Sequence, residues 1–205
     1  MADAAPTRWA EDHALARRCV AGDGVAQRAL YEREKRRVHA VLFRIFGSNA
    51  GIDDVIQEVF IQVFRSLVGF RGESSLATWI DRCTVRVAYA QLSKVRRRRA
   101  ELELVQDIDS GDPTAERRAL AREATRRLYA VLDDLDPKLR LAFVLQELEG
   151  NSVAEVAAKM EATVVATKTR VFRARAKLAT AARGDPVLRE FLEGDGEMVS
   201  EGEAS

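Results

Sequence analysis

The sequence predicts an all-α protein of two small helical domains joined by an acidic linker, and three observations carry that prediction. Sheet-forming material is thin: aromatics make up 6% of the 205 residues, while Ala, Leu, Val, Arg and Glu dominate. Apolar residues recur at three- and four-residue spacings almost throughout, the period of a helix packed on one side. One stretch, Glu101 to Thr114, breaks that period, carries Asp109-Ser110-Gly111-Asp112-Pro113 and separates two periodic halves. A chain of this length, 47% hydrophobic and 32% charged, supports one core of moderate size or two small ones.

Taken in order, Leu15, Cys19 and Val20 predict a short first helix. A second is expected over Val25 to Phe46, where Leu30, Val38, Val41, Leu42, Ile45 and Phe46 share a face until Gly47-Ser48-Asn49 breaks it. The third, about Ile52 to Val68, has a wide apolar stripe in Val55, Ile56, Val59, Phe60, Val63, Phe64 and Leu67. Asp53, Asp54, Gln57, Glu58 and Gln62 lie opposite. Gly69 to Ser75 reads as a loop, with Ser74 or Ser75 capping a fourth helix that runs to about Arg99. Beyond the linker come a helix over about Thr114 to Asp134, another over Pro137 to Leu148, and two shorter ones after Gly150. The expected division is 11–99 and 115–183 for the two domains, 100–114 for the linker and 184–205 for an acidic tail.

The second half contains a helix-turn-helix pattern. Asp136-Pro137 starts a helix, since Asp accepts from orphan backbone donors and Pro at the first helical position sacrifices none. Ser152-Val153-Ala154-Glu155 is a capping box for a short helix over Val153 to Met160. Ala157 is small enough for a second helix to cross closely. Thr163 caps the next helix, whose inner face is expected to hold Val164, Thr167, Val171, Ala174 and Leu178. Ala166, Thr169, Arg170, Arg173 and Lys177 are placed on its outer face, short side chains first and cations later, as a helix in a major groove requires. A helical hairpin of pure packing function is the alternative.

Charge is segregated although the formal net is +1. From Arg71 to Arg99, the bases Arg71, Arg82, Arg86, Lys94, Arg96, Arg97, Arg98 and Arg99 face only Glu73 and Asp81, a net of plus six. Lys159 to Arg183 carries seven bases and one acid, again plus six. Glu101 to Glu116 and Asp185 to Ser205 are each minus six. Two phosphate-seeking surfaces, each followed by an acidic segment, point toward nucleic acid; ordinary solvated helix faces are the competing reading.

Other classes find little support. No apolar run approaches the roughly 20 residues of a membrane span, and Met1 to Ala10 lacks the apolar core of a signal peptide, so a cytoplasmic protein is expected. Cys19 and Cys83 have no neighbouring ligands and read as buried small hydrophobes. His13 and His39 lack the spaced partners of catalysis or metal binding. Asp53, Asp54 and Glu58 share a face with oxygens suited to Mg2+, but no second cluster, general base or Gly-rich phosphate loop accompanies them. No catalytic residue, metal or cofactor is therefore expected.

Two blocks of residues resemble the extracytoplasmic-function (ECF) group of the sigma-70 family of bacterial RNA polymerase sigma factors. Ile52-Asp53-Asp54-Val55-Ile56-Gln57-Glu58-Val59-Phe60, Phe64-Arg65, Phe70-Arg71-Gly72 and Leu76-Ala77-Thr78-Trp79-Ile80 are similar to sigma region 2. Leu132 to Leu135, Arg140, Glu149-Gly150-Asn151-Ser152, Glu155-Val156-Ala157, Lys168-Thr169-Arg170-Val171 and Arg173-Ala174-Arg175 are similar to region 4. The likeness covers roughly Asp12 to Ala182. The chain departs from the family where Met160-Glu161 replace a usual Leu-Gly and where Val165-Ala166-Thr167 replace Gly-Thr-Val.

The resemblance implies a noncatalytic initiation subunit. Asp53, Asp54, Gln57 and Glu58 would dock on the beta-prime subunit of the polymerase core, which also presents its beta subunit. Region 2 would melt the minus-ten element and hold the non-template strand, with an extruded base near the loop Gly72 to Leu76. Arg71, Ser74, Arg82, Arg86, Lys94, Arg96, Arg97, Arg98 and Arg99 would contact that DNA. Trp79 is expected in the core, with stacking on a base as the alternative. Region 4 would read the minus-thirty-five duplex through Ser152, Val165, Ala166, Lys168, Thr169, Arg170, Arg173 and Lys177. The acidic linker fits inside nucleic-acid channels of the polymerase, or is a plain tether. The acidic tail is either disordered or screens the recognition helix. An anti-sigma factor is a further expected partner, and a helix-turn-helix regulator or a sigma mimic acting through an anti-sigma factor is the rival reading.

Overall fold

The computed structural model describes residues 4–101 and 116–189. The acidic linker from 102 to 115 and the tail from 190 onward lie outside them, as do the side chains of Arg98 and Arg99. The described residues form helices without strands: α1 (Ala4–Val20), α2 (Gly24–Phe46), α3 (Ile52–Ser66), α4 (Leu76–Glu101), α5 (Glu116–Asp133), α6 (Pro137–Phe143), α7 (Val153–Lys159) and α8 (Val164–Arg183). The all-α expectation therefore holds. The first helix is much longer than its short apolar pattern suggested, because α1 begins at Ala4.

Local chemistry sets the boundaries. The Asp23 carboxylate accepts from the Val25 and Ala26 amides and starts α2, which ends at Gly47 with φ 74°. Any side chain at Gly47 would run into the ring of Tyr129 from α5. The apolar stripe of α3 buries Ile52, Ile56, Val59, Phe60 and Val63. A 3-10 turn at Leu67–Gly69 leads into the loop before α4. Ser75 caps α4 by accepting from the Thr78 amide at 3.1 Å. A second cap comes from afar, since the buried Asp12 carboxylate of α1 accepts from the Leu76 amide at 3.0 Å.

In the second half, Asp136 starts α6 by accepting from the Lys138 amide. The expected helix to Leu148 is present, but its last stretch, Val144–Leu148, widens into a π turn. Asn151 closes that turn by donating from its side-chain amide to the Leu145 carbonyl at 2.7 Å. Beyond α8, the Asp185 carboxylate accepts from the Val187 and Leu188 amides, pairs with Arg127 at 2.8 Å, and seats Leu188 in the core. The start of the acidic tail is thus tied to α5.

The arrangement of the halves was not foreseen. One hydrophobic core runs from Leu30, Leu42, Ile45, Ile56 and Ile80 in the first half to Leu132, Leu141, Leu145 and Leu178 in the second. Helix α4 packs on α6 and α7, and α2 meets the π turn. The join is polar as well. Arg140, almost wholly buried, donates to the Ile45 carbonyl at 2.8 Å and the Phe46 carbonyl at 3.2 Å, and pairs with Asp133. It therefore caps the C-terminus of α2 from the other half, where the helix dipole favours a cation. Tyr129 donates to the Arg44 carbonyl at 2.7 Å beside it.

Candidate nucleic-acid interface

The helix-turn-helix is built as its pattern specified. Ser152 accepts from the Glu155 amide while the Glu155 carboxylate accepts from the Ser152 amide at 2.8 Å, completing the capping box. The Ser152 hydroxyl, donating at 2.7 Å, and then the Ser152 amide hold the Glu155 carboxyl below the usual carboxylate range. Thr163 caps α8 through the Ala166 amide at 3.1 Å. Ala157 is buried where α7 meets α8, and Thr167, Val171, Ala174 and Leu178 form the inner stripe.

Two positions differ from expectation. Val164 stands exposed at the first turn instead of inside, because the chain enters α8 from the cap at Thr163 with its first residue clear of α7. Arg170 is half-buried and turned toward α4 instead of facing solvent freely. Lys168, Thr169, Arg173 and Lys177 are exposed, and Ala166 is half-buried. Val165 and Phe172 are 74% and 72% exposed, one above the other on the outermost face of α8. Phe172 went unread in the sequence although a signal existed: Val171 is in register with the inner stripe, so its apolar neighbour must point outward. Ser152 is committed to its cap on both sides of its hydroxyl.

On the first half, the loop before α4 encloses a cavity of about 270 Å3 lined by Gly69, Phe70, Arg71, Gly72, Glu73, Ser74, Trp79 and Arg82. Gly72 has φ 74°, and a side chain there would collide with the imidazole of His13, so the loop is pinned on α1. Phe70 stands between His13 and Trp79, with ring centroids 5.4 and 5.7 Å away. Trp79 is half-buried and edge-on to Phe70, combining packing with a place in the cavity wall. Arg71, Lys94 and Arg97 are exposed, and Ser74 is half-buried.

Arg86 and Arg96 are engaged by the second half. Arg86 pairs with Glu161 at 2.7 Å and Arg96 with Asp136 at 2.8 Å. Glu161, at the turn where the resemblance expects glycine, adopts φ 50°, a left-handed conformation costly for a residue with a side chain. Next to it, Lys159 pairs with Asp81 at 3.1 Å and donates to Asn151 at 2.7 Å. Asp81 also pairs with Arg37, which reaches Glu34 at 2.8 Å. Burial works against the Arg37 charge, yet Asp81 and Glu34 more than offset it and raise its pKa. Buried and half-buried charges thus run in a chain from α2 through α4 to the turn of the helix-turn-helix.

The outer face of α3 leaves Asp53, Asp54 and Gln57 exposed. Glu58 is half-buried and accepts from the Gln91 side chain of α4. Below the acids, Ile61 is an exposed apolar residue on the line of Asp54 and Gln57, and Val68 is exposed in the 3-10 turn that follows α3. Cys19 and Cys83 are buried, and burial pushes both thiols up. Among the described residues, no group of His, Cys, Asp and Glu is placed to hold a metal, and no helix is long and apolar enough to cross a membrane.

Known proteins match this arrangement half by half. Residues 30–99 match the family model of sigma-70 region 2, and residues 125–178 that of sigma-70 region 4. The ECF RNA polymerase sigma-E factor of Haemophilus influenzae is 35% identical over 173 residues, spanning 80% of this chain and 91% of that protein. The ECF RNA polymerase sigma-E factor of Escherichia coli is 32% identical, spanning 80% and 90%. Among solved structures, CnrH in complex with the cytosolic domain of CnrY aligns over 85% of this chain and 98% of its own, with TM-score 0.56 and 25% identity. The fold is also that of the sigma factor RpoE of Bartonella quintana, solved with the anti-sigma factor NepR, at TM-score 0.55 and 20% identity over 77% of this chain and 97% of that one. With paired cationic helical modules, a capped helix-turn-helix and these relatives along most of its length, the chain belongs to the ECF group of sigma-70 family sigma factors, which direct transcription initiation.

Proposed function

We propose that this protein is a noncatalytic promoter-recognition subunit acting in the cytoplasm with the RNA polymerase core, in which 11–99 seizes the minus-ten element and 115–183 reads the minus-thirty-five element. The observation that carries this reading is the pairing of a cationic α4 beside a loop cavity with a cationic α8 in a capped helix-turn-helix. Duplex binding by α8 suits Val165 and Thr169 near base edges, with Lys168, Arg173 and Lys177 on phosphates. The cavity before α4, about 270 Å3 and walled by Phe70 and Trp79, suits an extruded base. Arg71, Lys94 and Arg97 supply the charge that holds the freed strand.

Asp53, Asp54 and Gln57, with Ile61 beneath them, form the face offered to the beta-prime subunit, an acidic rim around apolar area. The acidic 100–114 segment suits the nucleic-acid channels of the polymerase, with a plain tether as the alternative. An anti-sigma factor is a further partner, a reading supported by the solved RpoE neighbour, which is bound to the anti-sigma factor NepR.

Purified core enzyme plus this chain is expected to open a promoter template in vitro, and core with a plain helix-turn-helix regulator is not. Asp54→Arg should weaken the complex with core by about tenfold or more, the scale set by like charge at an interface. Glu58→Arg should weaken it less, because Glu58 already answers Gln91. A reconstituted mixture that opens no template, or a complex indifferent to Asp54→Arg, would remove the reading or its docking face respectively.

A further inference from the structure

One ridge of α4 is already occupied in a way that describes its ligand. Arg82, Arg86, Tyr89, Ser93 and Arg96 follow steps of three and four and share a face. Arg86 and Arg96 lie about 15 Å apart along the axis at about 1.5 Å per residue. Tyr89 sits between them, 38% exposed. The second half lays three side chains on these three groups. Glu161 holds Arg86 at 2.7 Å, Asp136 holds Arg96 at 2.8 Å, and the Lys138 ammonium stands 5.8 Å from the centre of the Tyr89 ring.

Guanidinium, phenol ring, guanidinium is the order of groups that takes a phosphate, a base and a phosphate. Two carboxylates stand on the guanidiniums where phosphates would, and a cation covers the ring face on which a base would lie. All four members of the two ion pairs are more than half exposed, so one anion can replace another readily. The left-handed backbone of Glu161 belongs to the turn that ends α7, closed by the Ala162 amide donating to the Ala157 carbonyl at 2.9 Å, so its carboxylate can swing away from Arg86 without unfolding that turn. Trp79 is a poorer platform, being locked edge-on against Phe70.

We propose that Tyr89 is a stacking platform for one unpaired base of the promoter strand, clamped on either side by Arg86 and Arg96, and that Asp136 and Glu161 fill this seat until the strand displaces them. This rests on region 2 capturing a single strand, and the experiment separates the two. The probe is a fluorescein-labelled single-stranded DNA of 12 nucleotides, titrated with the full chain at low salt, with the matching duplex as comparison. Asp136→Asn keeps the cap on α6, and together with Glu161→Gln it should tighten binding about tenfold by unmasking the seat. In that background Tyr89→Ala should lose about tenfold, whereas Tyr89→Phe, which keeps the ring, should stay within about twofold. Duplex affinity should ignore Tyr89. The double variant binding no tighter than the parent overturns the masking, and Tyr89→Ala binding as tightly as the double variant overturns the platform. If holoenzyme with the wild-type chain opens a promoter and the Tyr89→Ala holoenzyme opens it at the same rate, this assignment falls while the function stands; if neither opens it, the functional reading itself fails.

Discussion

Arg140 illustrates how much one side chain contributes to this molecule. Its guanidinium satisfies two carbonyls at the end of α2, pairs with Asp133 and stands 5.9 Å from the Tyr129 ring centre. Replacement by Met would keep much of the apolar stem but orphan two carbonyls and leave Asp133 without this partner. Arg140→Met should therefore destabilise the protein by about 3 kcal/mol, measured as a lowered denaturant midpoint. Gly72 is the second sensitive position. Alanine there meets both a positive φ and the His13 imidazole, so Gly72→Ala should cost about 1–3 kcal/mol and impair strand capture before duplex binding. The sequence marked both residues through the family resemblance without showing why they matter. Arg140 acts on carbonyls 95 and 94 residues away, and no local pattern encodes such a partner.

Among the helices, caps were the most legible feature. Asp136, Ser152 and Thr163 all cap as their local spacing requires, because each of these three bonds an amide within four residues of itself. The π turn was not legible, since its widened bonds depend on Asn151 folding back onto Leu145. Helix α5 is fastened by acid and base. Hydrogen bonds from Arg126 and Arg127 push the Glu123 carboxyl down to about 2, and Arg127 likewise holds Asp185 below its usual range. A carboxyl lowered on folding stabilises fully above its unfolded value of about 4.3 and loses that contribution as pH falls toward its folded value. Wild type should therefore melt above Glu123→Gln at neutral pH, and the gap should close between pH of about 4.3 and 2 in thermal scans. The outward side of α8 carries a separate expectation: Lys168→Ala or Arg173→Ala should each lower the salt slope of duplex binding by about 1.

For the molecule as a whole, the closed packing of the halves is what local reading missed. Arg86 and Glu161 are 75 residues apart, Arg44 and Glu149 are 105 apart, and each side chain alone looks like a free surface charge. Composition and periodicity gave the helices and the two modules, while the join depends on pairings set only by the tertiary arrangement. That join has two unlike parts. At the end of α2 it is buried, through Arg140 and the common apolar core, with Tyr129 beside it; along α4 the exposed pairs of Arg86 and Arg96 flank the largely buried Lys159–Asp81 pair. Salt screens exposed pairs and spares buried ones. Small-angle scattering should accordingly find the same radius of gyration at about 0.1 and 1 M salt. Arg140→Met should be the variant that expands it.

The cap on α2 also imposes an order in time. The ribosome delivers Ile45 and Phe46 long before Arg140, and at roughly 5–20 residues per second the interval lasts on the order of 5–20 seconds. Throughout it, the newborn N-terminal bundle carries a helix end whose Ile45 and Phe46 carbonyls answer only to water. Maturation of the first module therefore finishes with the synthesis of the second, and a polypeptide stopped before α6 would leave the exit tunnel unfinished at that corner.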